Sequence, residues 1–174
     1  MAAFRRPRSA ALTPRGFRDV LGRFASGVTV LTTVLDDVPH GMTVNAFASV
    51  SLEPLLVLAC LDRSTIMCEL VVKSGIFAVS VLNDEQLGLS MHFADPFRPS
   101  GRAQFEAIAH HTRATGAPVI DGSIAFADCR VWAVHDGGDH IIVVGEPVAL
   151  GLGGEANPLL FYRGAYRQIR PEGQ

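Results

Sequence analysis

Val28-Thr29-Val30-Leu31-Thr32-Thr33-Val34-Leu35, then Asp36-Asp37-Val38-Pro39-His40-Gly41, then Met42-Thr43-Val44-Asn45-Ala46-Phe47-Ala48-Ser49-Val50-Ser51-Leu52 follow one another without interruption. Two β-prone runs on either side of turn residues predict an antiparallel hairpin. Pro54 resets the chain, and Leu55 to Leu61 is short, apolar and flanked by breakers, as expected of a central strand buried on both faces. Ile76 to Leu82 returns to strand, and two long β-prone runs, Ser123 to Val134 and His140 to Leu150, flank the glycine-centred turn His135-Asp136-Gly137-Gly138-Asp139. Strands that come as hairpins, instead of alternating with helices, argue against a doubly wound parallel sheet. A small antiparallel barrel with peripheral helices fits best.

The helices are signalled by their ends. Thr13-Pro14 makes an N-cap and first-turn pair ahead of Phe17, Val20, Leu21 and Phe24, spaced for one apolar face. Ser64 can cap a short helix carrying Ile66, Met67, Leu70 and Val71 that ends near Ser74-Gly75. Asn83 with Gln86 resembles a capping box and predicts a helix from Asp84 to about His92. Asp95-Pro96-Phe97-Arg98-Pro99-Ser100-Gly101 cannot be regular structure, His110-His111 reads as a polar strand edge, and the end adds a helical turn at Pro158–Phe161 and a last short strand. No internal repeat or linker appears. Residues 1–14 read as a flexible arm, 15–170 as one domain and 171–174 as a tail.

Composition excludes several classes. With 174 residues, 48% hydrophobic and 18% charged, the chain can bury a core. No stretch approaches the ~18 apolar residues of a membrane-spanning helix. A net charge of −2 lacks the footprint of a nucleic-acid binder. The three cysteines, Cys60, Cys68 and Cys129, are widely spaced, and together with the histidines they show no metal-ligand spacing. Free thiols and the lack of an apolar leader point to the cytoplasm.

Three segments are candidates for chemistry. Thr43, Asn45, Ser49 and Ser51 recur at every second position save Phe47, so strand alternation would set small polar groups on one face. That face is either solvated or the wall of a groove offering neutral hydrogen bonds to a planar, edge-polar ring. Cys60-Leu61-Asp62-Arg63-Ser64-Thr65 leads from a strand end to a helix start, where unpaired N–H groups, a cap hydroxyl and Arg63 could hold a phosphate, although ordinary capping explains Ser64 equally well. Gly138-Asp139-His140 closes the last long hairpin, as a tight turn or as a functional one. There is no GxSxG elbow, and no GxGxxG that would bind a dinucleotide in the Rossmann manner.

Over roughly Phe17 to Ile169 the chain resembles the flavin reductase-like proteins of the FMN-binding split-barrel fold. The resemblance rests on Phe24-Ala25-Ser26-Gly27-Val28-Thr29-Val30, Thr43 through Ser51, Gly138-Asp139-His140 and Phe161-Tyr162-Arg163-Gly164-Ala165-Tyr166. It implies a mainly β, Greek-key split barrel. It further implies an NAD(P)H-dependent flavin reductase that transfers hydride to FMN or FAD and supplies reduced flavin to a partner monooxygenase. On this resemblance Thr43, Asn45, Ala46, Phe47, Ser49 and Ser51 line the flavin ring. Cys60, Leu61, Asp62, Ser64 and Thr65 follow its ribityl phosphate, Phe105 and Tyr166 neighbour the ring, and His140 positions the nicotinamide. A homodimer is expected, because a filled small barrel cannot enclose a flavin and the Tyr162–Tyr166 segment suits an interface. A flavin-binding electron relay, a pyridoxamine-phosphate oxidase-like enzyme and a structural dimerisation module remain open alternatives.

Overall fold

The computed structural model describes residues 9–169. The tail expected over 171–174, and the first part of the expected arm, lie outside the described residues. Helix α1 (Pro14–Leu21) is followed by β1 (Ser26–Gly27), β2 (Thr29–Leu35), β3 (Val38–Val44), β4 (Phe47–Leu52) and β5 (Leu55–Asp62). Helix α2 (Ile66–Ser74) leads to β6 (Ile76–Val81), and α3 (Leu87–Ala94) follows a 3-10 turn at Asp84–Gln86. A second 3-10 turn, Gly101–Phe105, precedes β7 (His110–Thr112), β8 (Pro118–Ile120), β9 (Ala125–Gly137), β10 (His140–Leu152), β11 (Leu160–Tyr162) and β12 (Ala165–Arg167).

Seven strands form an antiparallel sheet in the order β3-β2-β6-β9-β10-β5-β4. Its two edge strands, β3 and β4, are separated in the chain only by Asn45 and Ala46. The sheet must therefore curl until its edges meet, and Cys60 N–H donates to the Ala46 carbonyl at 3.0 Å where they do. The result is a barrel split along β3 and β4. Leu31, Leu61, Phe77, Val79 and Val143 fill its interior, with Met67 and Val71 of α2 packed among them. A second apolar cluster, including Val30, Phe93, Phe105 and Leu159, lies beneath α3 and the small sheet β1-β11-β12.

The structure corrects several local expectations. The first hairpin turns on Asp36 and Asp37 alone, both left-handed with φ of 51° and 62°, so Val38–Gly41 are strand and not turn. Pro39 is tolerated because β3 is an edge. The second long hairpin likewise turns on Gly138 (φ 79°) and Asp139, while His135–Gly137 belong to β9. Thr65, not Ser64, caps α2, accepting from Cys68 N–H at 3.3 Å. No helical turn forms at Pro158–Phe161: Pro158 bridges to Asn83, and Leu160–Tyr162 pairs with β1 and β12. The caps at Thr13 and Asn83 are as read, the latter with a complete capping box.

Candidate functional site

The expected alternation of Thr43, Asn45, Ser49 and Ser51 is broken twice. Asn45 and Ala46 form the crossing between β3 and β4. In β4, Ser49 opposes Val57 while Ser51 opposes Leu56, across an irregularity at Val50. Consecutive residues of β5 point to opposite faces, so Ser49 and Ser51 do too. Thr43 is half-buried beneath α3, its hydroxyl donating to the Ser90 carbonyl at 2.7 Å. Ser49 is exposed, and Ser51 accepts from Glu53 N–H at 3.2 Å. A single polar face is therefore not what this segment builds.

It builds a cleft of about 510 Å³ where the barrel closes, lined by Leu21, Phe24, Ala25, Ser26 and Gly27 on one side and Asn45, Ala46, Phe47, Ala48, Leu58 and Cys60 on the other. Three of the expected ring contacts, Asn45, Ala46 and Phe47, meet here, with Cys60 beside them. Small side chains at Ala46 and Ala48 let a flat ring approach the strand. Asn45 has only a long contact, Nδ2 to Ser26 Oγ at 3.4 Å, and is exposed, so its amide is available to a ligand edge. Burial pushes the Cys60 thiol up, which keeps this wall neutral. Composition and wall chemistry fit a flavin ring. The strand Leu55–Asp62 is not buried on both faces as its apolar run suggested. Ala59 and Leu61 face the core, and Leu58 and Cys60 line the cleft.

The second group stands at the end of β5, beginning two residues beyond Cys60 on the same strand. Register places His140 opposite Asp62. Arg63 N–H donates to the Asp139 carbonyl at 3.0 Å, and Arg63 Nε to the Gly138 carbonyl at 2.9 Å. The turn and the Cys60–Thr65 segment are thus one unit. His140 Nδ1 lies 2.8 Å from Asp139 Oδ1.

The phosphate donors expected from sequence are, however, internally engaged. Asp62 Oδ1 accepts from both Ser64 N–H (2.8 Å) and Ser64 Oγ (2.7 Å), and Thr65 Oγ1 donates to the Asp62 carbonyl at 2.7 Å. These bonds from Ser64, with His140 nearby, hold the Asp62 carboxyl below the usual range. Arg63 pairs with Asp136 at 2.6 Å. A phosphate would have to draw Ser64 and Arg63 away from carboxylates they already hold.

Three expected contacts lie elsewhere. Leu61 is fully buried in the barrel, so only its backbone is available. Phe105 is 4% exposed, enclosed with Phe93 and Ile120 and packed beside Gly41, because apolar burial outweighs any ring-edge role. Tyr166 opposes Phe161, which opposes Ser26, and its hydroxyl shares a hydrogen bond with Ser90 Oγ at 2.9 Å. Leu21, Phe24–Gly27 and Leu58 were not singled out as lining residues. Phe24 was read as part of the first helix, which ends at Leu21, Ala25–Gly27 carried only the resemblance, and nothing local shows that β1 faces β5 across the cleft.

A family model described as flavin reductase like domain matches residues 21–170. The chain belongs to the flavin reductase-like family. It is 44% identical over 166 residues to the reductase subunit HsaB of a flavin-dependent monooxygenase from Mycobacterium tuberculosis, covering 94% of this chain and 87% of that one. It is 39% identical over 156 residues to an NADH-dependent FAD reductase of Streptomyces globisporus, covering 89% and 85%. Among solved structures, this reductase-like fold superposes with a TM-score of 0.89 on the Streptomyces globisporus NADH:FAD oxidoreductase in complex with NAD and FAD fragments, at 34% identity over 97% of this chain and all of that one. It superposes at 0.86 on BorF, the flavin reductase component of a bacterial two-component tryptophan halogenase, at 35% identity over 92% and 100%.

Proposed function

We propose that this chain is an NAD(P)H-dependent flavin reductase that reduces FMN or FAD and supplies the reduced flavin to a partner monooxygenase. The observation that carries the reading is the neutral, small-residue cleft at the barrel's closure, in a chain that matches the family over residues 21–170. A bound flavin would supply the redox chemistry as hydride acceptor, with reduced nicotinamide as the donor. The residues need only hold two flat rings face to face and exclude water between them. Phe24 and Leu58 wall the ring, Asn45 addresses its polar edge, and His140 orients the nicotinamide from the hairpin turn. No strong acid or base is required at the cleft, and among the described residues none lines it.

NADH is the donor named for several relatives, paired with FAD in one and FMN in another, and we take NADH as the donor here. The partner is a flavin-dependent oxygenase, and the halogenase component among the structural neighbours widens that class. Among the described residues no helix is long and apolar enough to cross a membrane, and we place the protein in the cytoplasm, where nicotinamide donors and free thiols coexist.

We read the working unit as a homodimer. Helix α1 buries none of its own residues and leaves Phe17, Val20 and Leu21 exposed, while Leu21 and the exposed Phe24 just beyond it line the cleft. Leu52, Trp132 and Leu152 add exposed apolar area on the barrel. A second copy would cover such surface and complete the open side of each cleft.

The reading is tested by mixing flavin-loaded protein with NADH anaerobically. Bleaching of the flavin absorbance is expected. Protein that quenches flavin fluorescence yet leaves the flavin oxidised would make it a binder and not a reductase.

A further inference from the structure

The free edge of β3 is closed for part of its length by side chains. Gly41 stands opposite Thr32 of β2, yet its N–H donates to Gln104 Oε1 at 2.8 Å and its carbonyl accepts from Arg98 Nη2 at 2.7 Å. Both backbone groups of Gly41 therefore point away from β2, and by antiparallel alternation so do those of Pro39 and Thr43. Gln104 Nε2 also reaches the Pro39 carbonyl at 3.5 Å, and Pro39 has no N–H to satisfy. Arg98 and Gln104 thus do for Pro39–Gly41 what an eighth strand would do. Thr43 is the first outward-facing residue beyond them.

The seal is built from a buried glutamine and a half-buried arginine. Gln104 is 1% exposed, its Nε2 3.3 Å from His40 Nδ1, and its carbonyl lies 2.9 Å from His92 Nε2. Arg98 Nη1 donates to the Asp95 carbonyl at 2.7 Å, and Nη2 also lies 3.3 Å from His40 Nε2. A Cβ at Gly41 would come within 2.5 Å of the Phe93 ring, so only glycine lets α3 settle here. The end of α3, the 95–101 loop and the following 3-10 turn are all keyed to one strand residue. On the same helix, the Ser90 carbonyl accepts from Thr43 Oγ1 and the Ser90 hydroxyl shares its bond with Tyr166.

We propose that Arg98 is a positioning residue of the flavin site: it seals the split edge as far as Gly41 and holds α3 down. It thereby sets the open stretch of edge at Thr43 and Asn45 and fixes Ser90 against Thr43 and Tyr166. The proposal rests on the flavin reading of the cleft. It gives the irregular Asp95–Gly101 segment a task that its sequence does not announce.

The test compares wild type, Arg98→Met, Arg98→Lys and Asn45→Leu, measuring flavin Kd by fluorescence quenching, kcat and KM for NADH at saturating flavin, and hydrogen exchange over 87–105. Arg98→Met is expected to weaken flavin binding roughly fivefold to tenfold, to speed exchange over both the loop and α3, and to leave KM for NADH within about twofold. Arg98→Lys, which keeps a donor for the Gly41 carbonyl but loses the fork, should recover part of the affinity. Unchanged flavin Kd in Arg98→Met beside a weakened Asn45→Leu overturns the proposal and leaves Arg98 as a loop anchor. If Asn45→Leu is also unchanged, the cleft itself is misread and the proposal falls with it. Should the methionine variant not fold, Arg98→Gln takes its place, with the same direction expected and wild-type affinity counting against the proposal.

Discussion

At Asn45 an amide stands in the crossing between two strand edges with one long contact to Ser26. Replacing it by leucine should weaken flavin binding by more than about 1 kcal/mol, since a ligand edge would lose its partner in a partly dry cleft. Fluorescence titration reads this directly, and unchanged affinity would remove Asn45 from the site. His140 is a different case, because its ring belongs to the turn that Arg63 ties to the end of β5. His140→Ala should raise KM for NADH while flavin affinity stays nearly constant. Wild-type kinetics in a stably folded variant would falsify that assignment. Residue by residue, the sequence marked Asn45 by its rarity in strands, while Ala46 and Phe47 came from the family resemblance; the structure brings all three to one cleft with Cys60. It misplaced Phe105 because a buried aromatic and a ring-stacking one look alike in sequence. It overstated Ser64 and Arg63, whose carboxylate partners Asp62 and Asp136 include one distant in the chain.

Among the elements, β3 carries the most consequential titratable group. His40 is 8% exposed and faces the Arg98 guanidinium and the Gln104 amide. Burial first, and Arg98 second, lower its pKa to about 4. In the unfolded chain a histidine takes up its proton near ~6.5. Between those values the unfolded state binds more protons, so this group's contribution is intact above about 6.5 and is lost as pH falls towards about 4. The loss is about 1–3 kcal/mol. Urea midpoints measured near neutral pH and again between the two pKa values should diverge more in wild type than in His40→Gln. Equal divergence would show that carboxylates alone set the acid sensitivity.

Both hairpins were foreseen with turns drawn too wide, and element ends were legible where the signal is local, as at the Thr13 cap and the Asn83–Gln86 capping box. The break at Asn45–Ala46 was not. Residues 42–52 keep a β-prone composition throughout, and only closure of the barrel decides that the first part pairs with β2 and the second with β5.

For the whole molecule, the hairpin grammar conveyed the barrel, while the cleft depends on two edges meeting, a property of the closed sheet. The exposed apolar faces of α1 and the barrel predict two chains per particle. Light scattering at micromolar concentration should give twice the chain mass, and Phe24→Asp should shift the particle towards monomer and weaken flavin binding together. A monomer that still binds flavin tightly would detach the cleft from any subunit interface. The most direct measurement is NADH consumption by the purified protein, followed by absorbance with FMN, FAD or no flavin added. Saturable, flavin-dependent oxidation of NADH that Asn45→Leu slows at limiting flavin is the expected result. NADH consumption no faster than with free flavin alone, from folded protein, would contradict it.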